Sequence, residues 1–211
     1  MHVHTEIGEA EIEYAGRAYR LRPSFAALAR MGNPAEIVEL FGQVLGPLPA
    51  LTGKAWADAP RVKRWGRDRL YGALTVLHAC SEDDLGPLIG GISPRMHYQP
   101  GVMPIDDVIV LAQSMLKHGV VGDVPPDPSK PERGTYSKEF AARDYVALAM
   151  AHLGASESDA WGMTMTSFIL AMRAKFPPGP QPGDNAPTLQ AQDATMSWLA
   201  AVNAKRSGSN G

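Results

Sequence analysis

The residue order predicts a mainly α-helical protein with a small N-terminal β-hairpin, a helical domain followed by a small helical C-terminal unit. Three observations carry that prediction. Apolar residues recur at three- and four-residue spacing in segment after segment. Residues 8–22 instead alternate apolar and charged side chains, the period of a strand. Two proline-rich runs, around 125–131 and 177–187, separate the periodic segments. The expected units are a hairpin plus helical domain over 1–120, a proline-rich connector over 121–135, a helical unit over 136–177, and a flexible tail with a short helix over 178–211.

Each element has a local reason. With Ala15-Gly16 as a two-residue turn, Tyr14 faces Arg17, Ile12 faces Tyr19 and Ala10 faces Leu21. The same register sets Glu11 against Arg20 and Glu9 against Arg22, so apolar and charged pairs align together. Alanine is a poor residue for the positive φ of such a turn, which leaves a bulged turn open. A lone ribbon is marginal in water, so its apolar face must dock on helices. Pro23-Ser24 then stops the strand and caps a helix from Phe25 to Met31. Asn33 caps the next one, with Pro34 at its first position, Glu36 in its first turn, and Ile37, Leu40, Phe41 and Val44 on its buried face. Leu48 to Pro60 reads as a loop, and a helix from about Asp58 to Cys80 follows. Its first turns carry Arg61, Lys63, Arg64, Arg67 and Arg69; cations there oppose the macrodipole, and Arg64 and Arg67 are either solvated or face an acidic partner.

Ser81-Glu-Asp-Asp84 has the form of another N-cap with an acidic first turn. Residues 103–119 have the fullest helix signals: Pro104 at the start, Asp106 and Asp107 in the first turn, Lys117 and His118 in the last, then Gly119. A helix over 138–153 is stopped by Gly154. In the stretch from Ser156 to Pro177, Trp161, Met165, Phe168 and Met172 fall on one helical face. Gly162 with the hydroxyls of Thr164 and Thr166 favours a fresh helix start there, either threonine serving as N-cap. That face is either core or a surface suited to varied partners, since methionine is soft and unbranched. Met196 and Trp198 sit on the short helix expected in the tail.

Bulk properties narrow the function. A chain of 211 residues fits one domain, or one with an appendage. A net charge of −2 gives no general attraction to nucleic acid. The single cysteine, Cys80, excludes an internal disulfide and suits a reducing compartment. The N-terminus shows no signal pattern, and the apolar run Tyr145–Leu153 is too short to span a bilayer, so the expected location is the cytosol. No constellation carries chemistry. His2 and His4 lack a third metal ligand, and His78 and Cys80 point to different faces of a helix, as a partly buried histidine and a core cysteine would. Gly86 to Gly91 lacks the lysine and hydroxyl of a phosphate loop. Catalytic, metal and cofactor sites are therefore expected to be absent.

Two segments are similar to the tail assembly chaperones of long-tailed bacteriophages, including prophage and gene-transfer-agent relatives. One is Glu11 to Leu28, a hairpin, Arg-Pro-Ser and a helix; the other is Trp161 to Pro177, a Trp, Met-Thr, a helix and a Lys-x-Pro ending. Family members often place Glu after the threonine to form a capping box, whereas Ser167 stands in the corresponding place here. The resemblance implies a non-enzymatic protein of the host bacterial cytoplasm, absent from the mature virion. Its client would be the amphipathic, helical tape measure protein, with self-association or the tail tube protein as further contacts, and neither nucleic acid nor membrane. Trp161 as anchor with Met163, Met165, Phe168 and Met172 would form the client face, and Met196 and Trp198 a second contact. Two alternatives stay open: a structural tail or head–tail connector subunit, and a small nucleic-acid-binding regulator using Arg61 to Arg69.

Overall fold

The computed structural model describes residues 4–95, 97–125 and 137–177. Eight α-helices and two small antiparallel ribbons make up these residues, so the protein is mainly α with an N-terminal hairpin. Strands β1 (Ala10–Tyr14) and β2 (Arg17–Leu21) pair in the expected register, Ile12 opposite Tyr19 and Glu11 opposite Arg20. The turn is a two-residue one without a bulge: Ala15 adopts φ +51° and Gly16 φ +75°. Ala15 thus occupies the left-handed region that a side chain disfavours. On the other side of the ribbon Arg22 pairs with Glu9 at 3.1 Å. Ala10, Ile12, Tyr19 and Leu21 lie against the helical core, which is how the ribbon is held.

Helix α1 (Phe25–Met31) is capped by Ser24, whose hydroxyl accepts from the Ala27 amide at 3.2 Å. Helix α2 (Pro34–Leu45) has a full capping box, with Asn33 Oδ1 accepting from the Glu36 amide and Glu36 Oε2 from the Asn33 amide. Ile37 and Val44 are buried there, while Leu40 and Phe41 are partly so.

Helix α3 (Ala55–Cys80) begins earlier than its proline suggests. Pro60 sits inside it, where the missing N–H leaves the Trp56 carbonyl without its helical donor. That turn is exposed, so water can take the donor's place. Asp58 serves the loop before the helix instead: its Oδ1 accepts from the Thr52 amide and hydroxyl, both at 2.9 Å. These bonds hold the Asp58 carboxyl below the usual carboxylate range. Between Ala55 and Gly66 only Asp58 is buried, whereas from Leu70 to Cys80 most of the helix is core.

The acidic tetrad after α3 does not cap a helix. Ser81 Oγ donates to the Arg20 carbonyl at 2.7 Å, Asp83 binds the ribbon, and Asp84 accepts from the Gly86 amide. The helix that follows, α4 (Gly86–Ile89), is a single turn. A second ribbon, β3 (Gly91–Ile92) with β4 (Tyr98–Gln99), follows it and was not foreseen. Two-residue strands leave too little alternation to read.

Helix α5 (Ile105–Leu116) starts as expected but continues through a π-turn, Lys117–Val121, and stops at Gly122 with φ +83°. Gly119 therefore lies inside the helix. A Cβ there would stand 3.1 Å from Pro23 and 3.3 Å from Leu28, so its role is close approach to α1, and chain reversal falls to Gly122. Ile105 is 44% exposed and does not join Val108, Ala112, Met115 and Leu116 in the core. The helix expected from Lys138 begins instead as α6 (Ala142–Leu148), extended by a π-turn to Leu153 and ended by left-handed Gly154. Residues 137–141 stay outside the helix: Ser137 bonds both the amide and the carbonyl of Glu139 in a local turn, and the Phe140 amide donates to the Pro34 carbonyl. Phe140 is thereby buried, stacked on Tyr145 with centroids 5.2 Å apart.

The C-terminal helices do not form a unit of their own. The described residues within 4–125 and 137–176 belong to one compact unit. Phe25 of α1 stacks on Tyr145 at 5.7 Å, and both rings meet Phe168 edge-on. This shared aromatic cluster overrides the division that the prolines suggest. Of the connector expected over 121–135, Val121 ends the α5 extension and residues 126–135 lie outside the described residues, as does the tail over 178–211 with Met196 and Trp198.

Candidate functional site

The Trp161 stretch is two helices rather than one. Helix α7 (Glu157–Gly162) is capped by Ser156, which accepts from the Asp159 amide at 3.1 Å. The chain is extended at Met163, and Thr164 then caps α8 (Met165–Lys175). Thr164 Oγ1 accepts from the Ser167 amide at 3.2 Å while Ser167 Oγ accepts from the Thr164 amide at 3.0 Å. Ser167 thus completes a capping box in the place where a glutamate was expected.

This break decides the fate of the apolar stripe. Trp161 belongs to α7, so it does not continue the face of α8 that carries Met165, Phe168 and Met172. Met165 is 3% exposed and Phe168 6%; both are core residues. A client could reach them only if α8 left its seat. Trp161, Met163 and Met172 are partly buried against the core. The burial has a cause in hydrogen bonding as well as in packing. Thr166 is buried, and its hydroxyl meets His118 Nδ1 at 3.0 Å, accepts from the Asp123 amide at 2.9 Å and donates to the His118 carbonyl at 3.3 Å. These contacts tie α8 to the end of α5. Burial pushes the His118 imidazole below its ordinary pKa, helped by Lys117 and opposed by Asp123.

What Trp161 does reach is a groove. A hollow of about 810 Å³ opens between the hairpin, α1, the end of α3 and α7. Trp161, Gly162, Ala26 and Ser24 provide its apolar and small-residue lining, and Arg20, Arg22, Arg30, Glu82 and Asp83 its charged lining. Its walls are tied together at several points. The Phe25 amide donates to the Met163 carbonyl at 2.9 Å, and Ser24 and Thr164 form a β-bridge. The Arg22 amide donates to the Cys80 carbonyl at 2.7 Å. Asp83 accepts from Arg17 Nη2 at 2.9 Å, a bond that lowers the carboxyl pKa and raises that of the guanidinium. Arg30 donates through Nε and Nη2 to the Ala79 carbonyl. Cys80 is buried at the groove's base, its thiol pushed up to about 12 by burial, so it is not a nucleophile at neutral pH. His78, expected to be partly buried, is exposed.

Among the described residues no three His, Cys, Asp or Glu side chains gather to hold a metal ion. None of the described helices is long and apolar enough to cross a membrane. Residues 21–194 match DUF6246, a family of unknown function. The chain belongs to that family. No curated protein and no solved structure matches. The DUF6246 match begins at Leu21, in β2, so α1 to α8 fall within it. All groove residues except Arg20 lie in the DUF6246 region. Reading the residues in order missed the groove because its lining comes from three separate stretches and contains no motif. A hint lay in Arg22, Ser24 and Ala26, which lie within one of the two segments that carry the phage resemblance.

Proposed function

We propose that this protein is a non-enzymatic phage tail assembly chaperone that shelters an amphipathic helix of the tape measure protein in the cytoplasm of the host. One observation carries the reading. The segments Glu11–Leu28 and Trp161–Pro177, which separately resemble such chaperones, lie together and contribute Arg20, Arg22, Ser24, Ala26, Trp161 and Gly162 to one open groove. Its lining suits an amphipathic helix: an indole and small side chains for the apolar stripe, and charges of both signs around them. Trp161 is the anchor. Met163 and Met172 are only partly accessible and support it, and the roles first assigned to Met165 and Phe168 pass to the groove wall.

The test is co-expression with the long helical tape measure protein encoded nearby. Wild-type protein should raise the soluble yield of the client. Ala26→Trp, which fills the groove from α1, and Trp161→Ala, which removes the anchor, should each reduce that yield while the circular dichroism of the chaperone stays unchanged. Failure of the wild type to raise the yield refutes the function. Undiminished client yield with both variants keeps the function but moves the client away from the groove.

A further inference from the structure

The groove beside Trp161 does not end at Arg30. A second hollow, of about 500 Å³, opens on the other side of that side chain, between α1, the last turns of α3 and β3. Arg30 lines both hollows; Cys80 lines the first, and Ala79, one residue earlier, lines the second. The guanidinium is held at this junction, Nε and Nη2 both donating to the Ala79 carbonyl, at 3.1 and 2.7 Å. Arg30 is exposed and has no carboxylate partner among the described residues, and its Nη1 makes no hydrogen bond among them.

The second hollow is apolar where it is not Arg30 or His78. Thr75, His78 and Ala79 share one face of α3, at spacings of three and four residues. The Thr75 hydroxyl donates to the Tyr71 carbonyl of its own helix at 3.0 Å, so that donor is already spent. Opposite them Ile92 is 41% exposed. Gly91, beside it, has open space where a side chain would stand. An apolar floor with one cation at its edge suits the stripe of a helix better than a small polar ligand.

We propose that one client helix occupies both hollows, its apolar stripe meeting Trp161 at one end and Ile92 at the other, with a carboxylate between them paired to Arg30. The assignment rests on the client groove proposed above. The occupant is the same client because the two hollows adjoin at a single side chain. That side chain is an unpaired cation between two apolar ends, which an amphipathic helix with an acidic residue beside its stripe complements. The client segment is thereby specified: an apolar residue, then Asp or Glu, then a second apolar residue.

Photo-crosslinking on the full chain, co-expressed with the tape measure protein, tests this. A benzophenone side chain is placed in turn at Ser158, on the rim of the first hollow, and at Thr75, on the rim of the second; both positions are exposed. Both should capture the client, at sites within about 20 residues of each other, the length of helix that spans a small domain. An Asp or Glu should lie between the two sites. Gly91→Phe, which fills the second hollow from β3, should lower soluble client yield severalfold at an unchanged melting temperature. Arg30→Lys and Arg30→Glu both lose the fork on Ala79, so the difference between them reports charge. Arg30→Lys should keep most of the yield and Arg30→Glu should lose it, and a client with Lys in place of the intervening carboxylate should restore it. Capture at Ser158 without capture at Thr75, or an undiminished yield with Gly91→Phe, overturns the extension and leaves the first groove standing. Capture of two distant client segments overturns the single helix. Equal yields from Arg30→Lys and Arg30→Glu overturn the paired carboxylate. A wild type that does not raise client yield defeats the function itself, and the extension with it.

Discussion

Replacing Phe168 with alanine separates a core side chain from a docking one, and the structure sets the size of the effect. Phe168 is 6% exposed, with its ring 6.1 Å from Phe25 and 5.7 Å from Tyr145, both edge-on. Truncating a buried phenylalanine costs about 3–5 kcal/mol, from lost burial and the cavity left behind. Each edge-on aromatic contact accounts for roughly 0.5–1.5 kcal/mol beyond burial, so losing two places this site toward the upper end. A domain is stable by only about 5–15 kcal/mol, so much of the margin would go. In urea the midpoint should fall steeply with little change in slope, and melting should come about 6–20 °C earlier. Phe168→Leu keeps most of the volume and should lose under half as much. Trp56→Ala, at 79% exposure, is the control and should move stability by about 0.5 kcal/mol or less. A loss below about 1 kcal/mol for Phe168→Ala would refute the argument, because a cavity in close-packed core cannot be that cheap.

Two further outcomes follow from local geometry. Ala15 sits at φ +51° before Gly16 at φ +75°, so Ala15→Asn should stabilise the hairpin by about 0.5–1 kcal/mol, read as a raised urea midpoint. The pH dependence follows from groups whose folded pKa lies below the unfolded one. For His118 the folded protein binds the proton less well than the unfolded chain. Its contribution is complete above the unfolded value of about 6.5 and is lost as pH falls below that toward the folded value. Asp58, Asp83 and Asp123 act in the same direction lower down; their contribution is present above about 3.9 and lost as pH falls through their depressed values. Urea midpoints between pH 8 and 5 should therefore decline, and His118→Gln should flatten that decline.

Where a residue's role depends on its neighbours in the chain, the order of amino acids was enough. The ribbon register follows from coincident apolar and charged pairs, and the caps at Ser24, Asn33 and Thr164 from side chains that reach only two or three residues ahead. Helix ends were less legible, because Pro60 is harmless where water replaces its missing donor, and Gly119 is required by Pro23 and Leu28 rather than by a turn. What only the tertiary structure decided is which apolar faces are spent inside. Phe168 and Met165 satisfy the same pattern that a docking ridge would; both are buried, Phe168 because Phe25 and Tyr145 close over it. Trp56, Ile105 and Val110, no less apolar, stay exposed because no described residue covers them. Periodicity determines which side chains share a face; burial depends on residues more than a hundred positions away, and spacing along the chain carries no record of them.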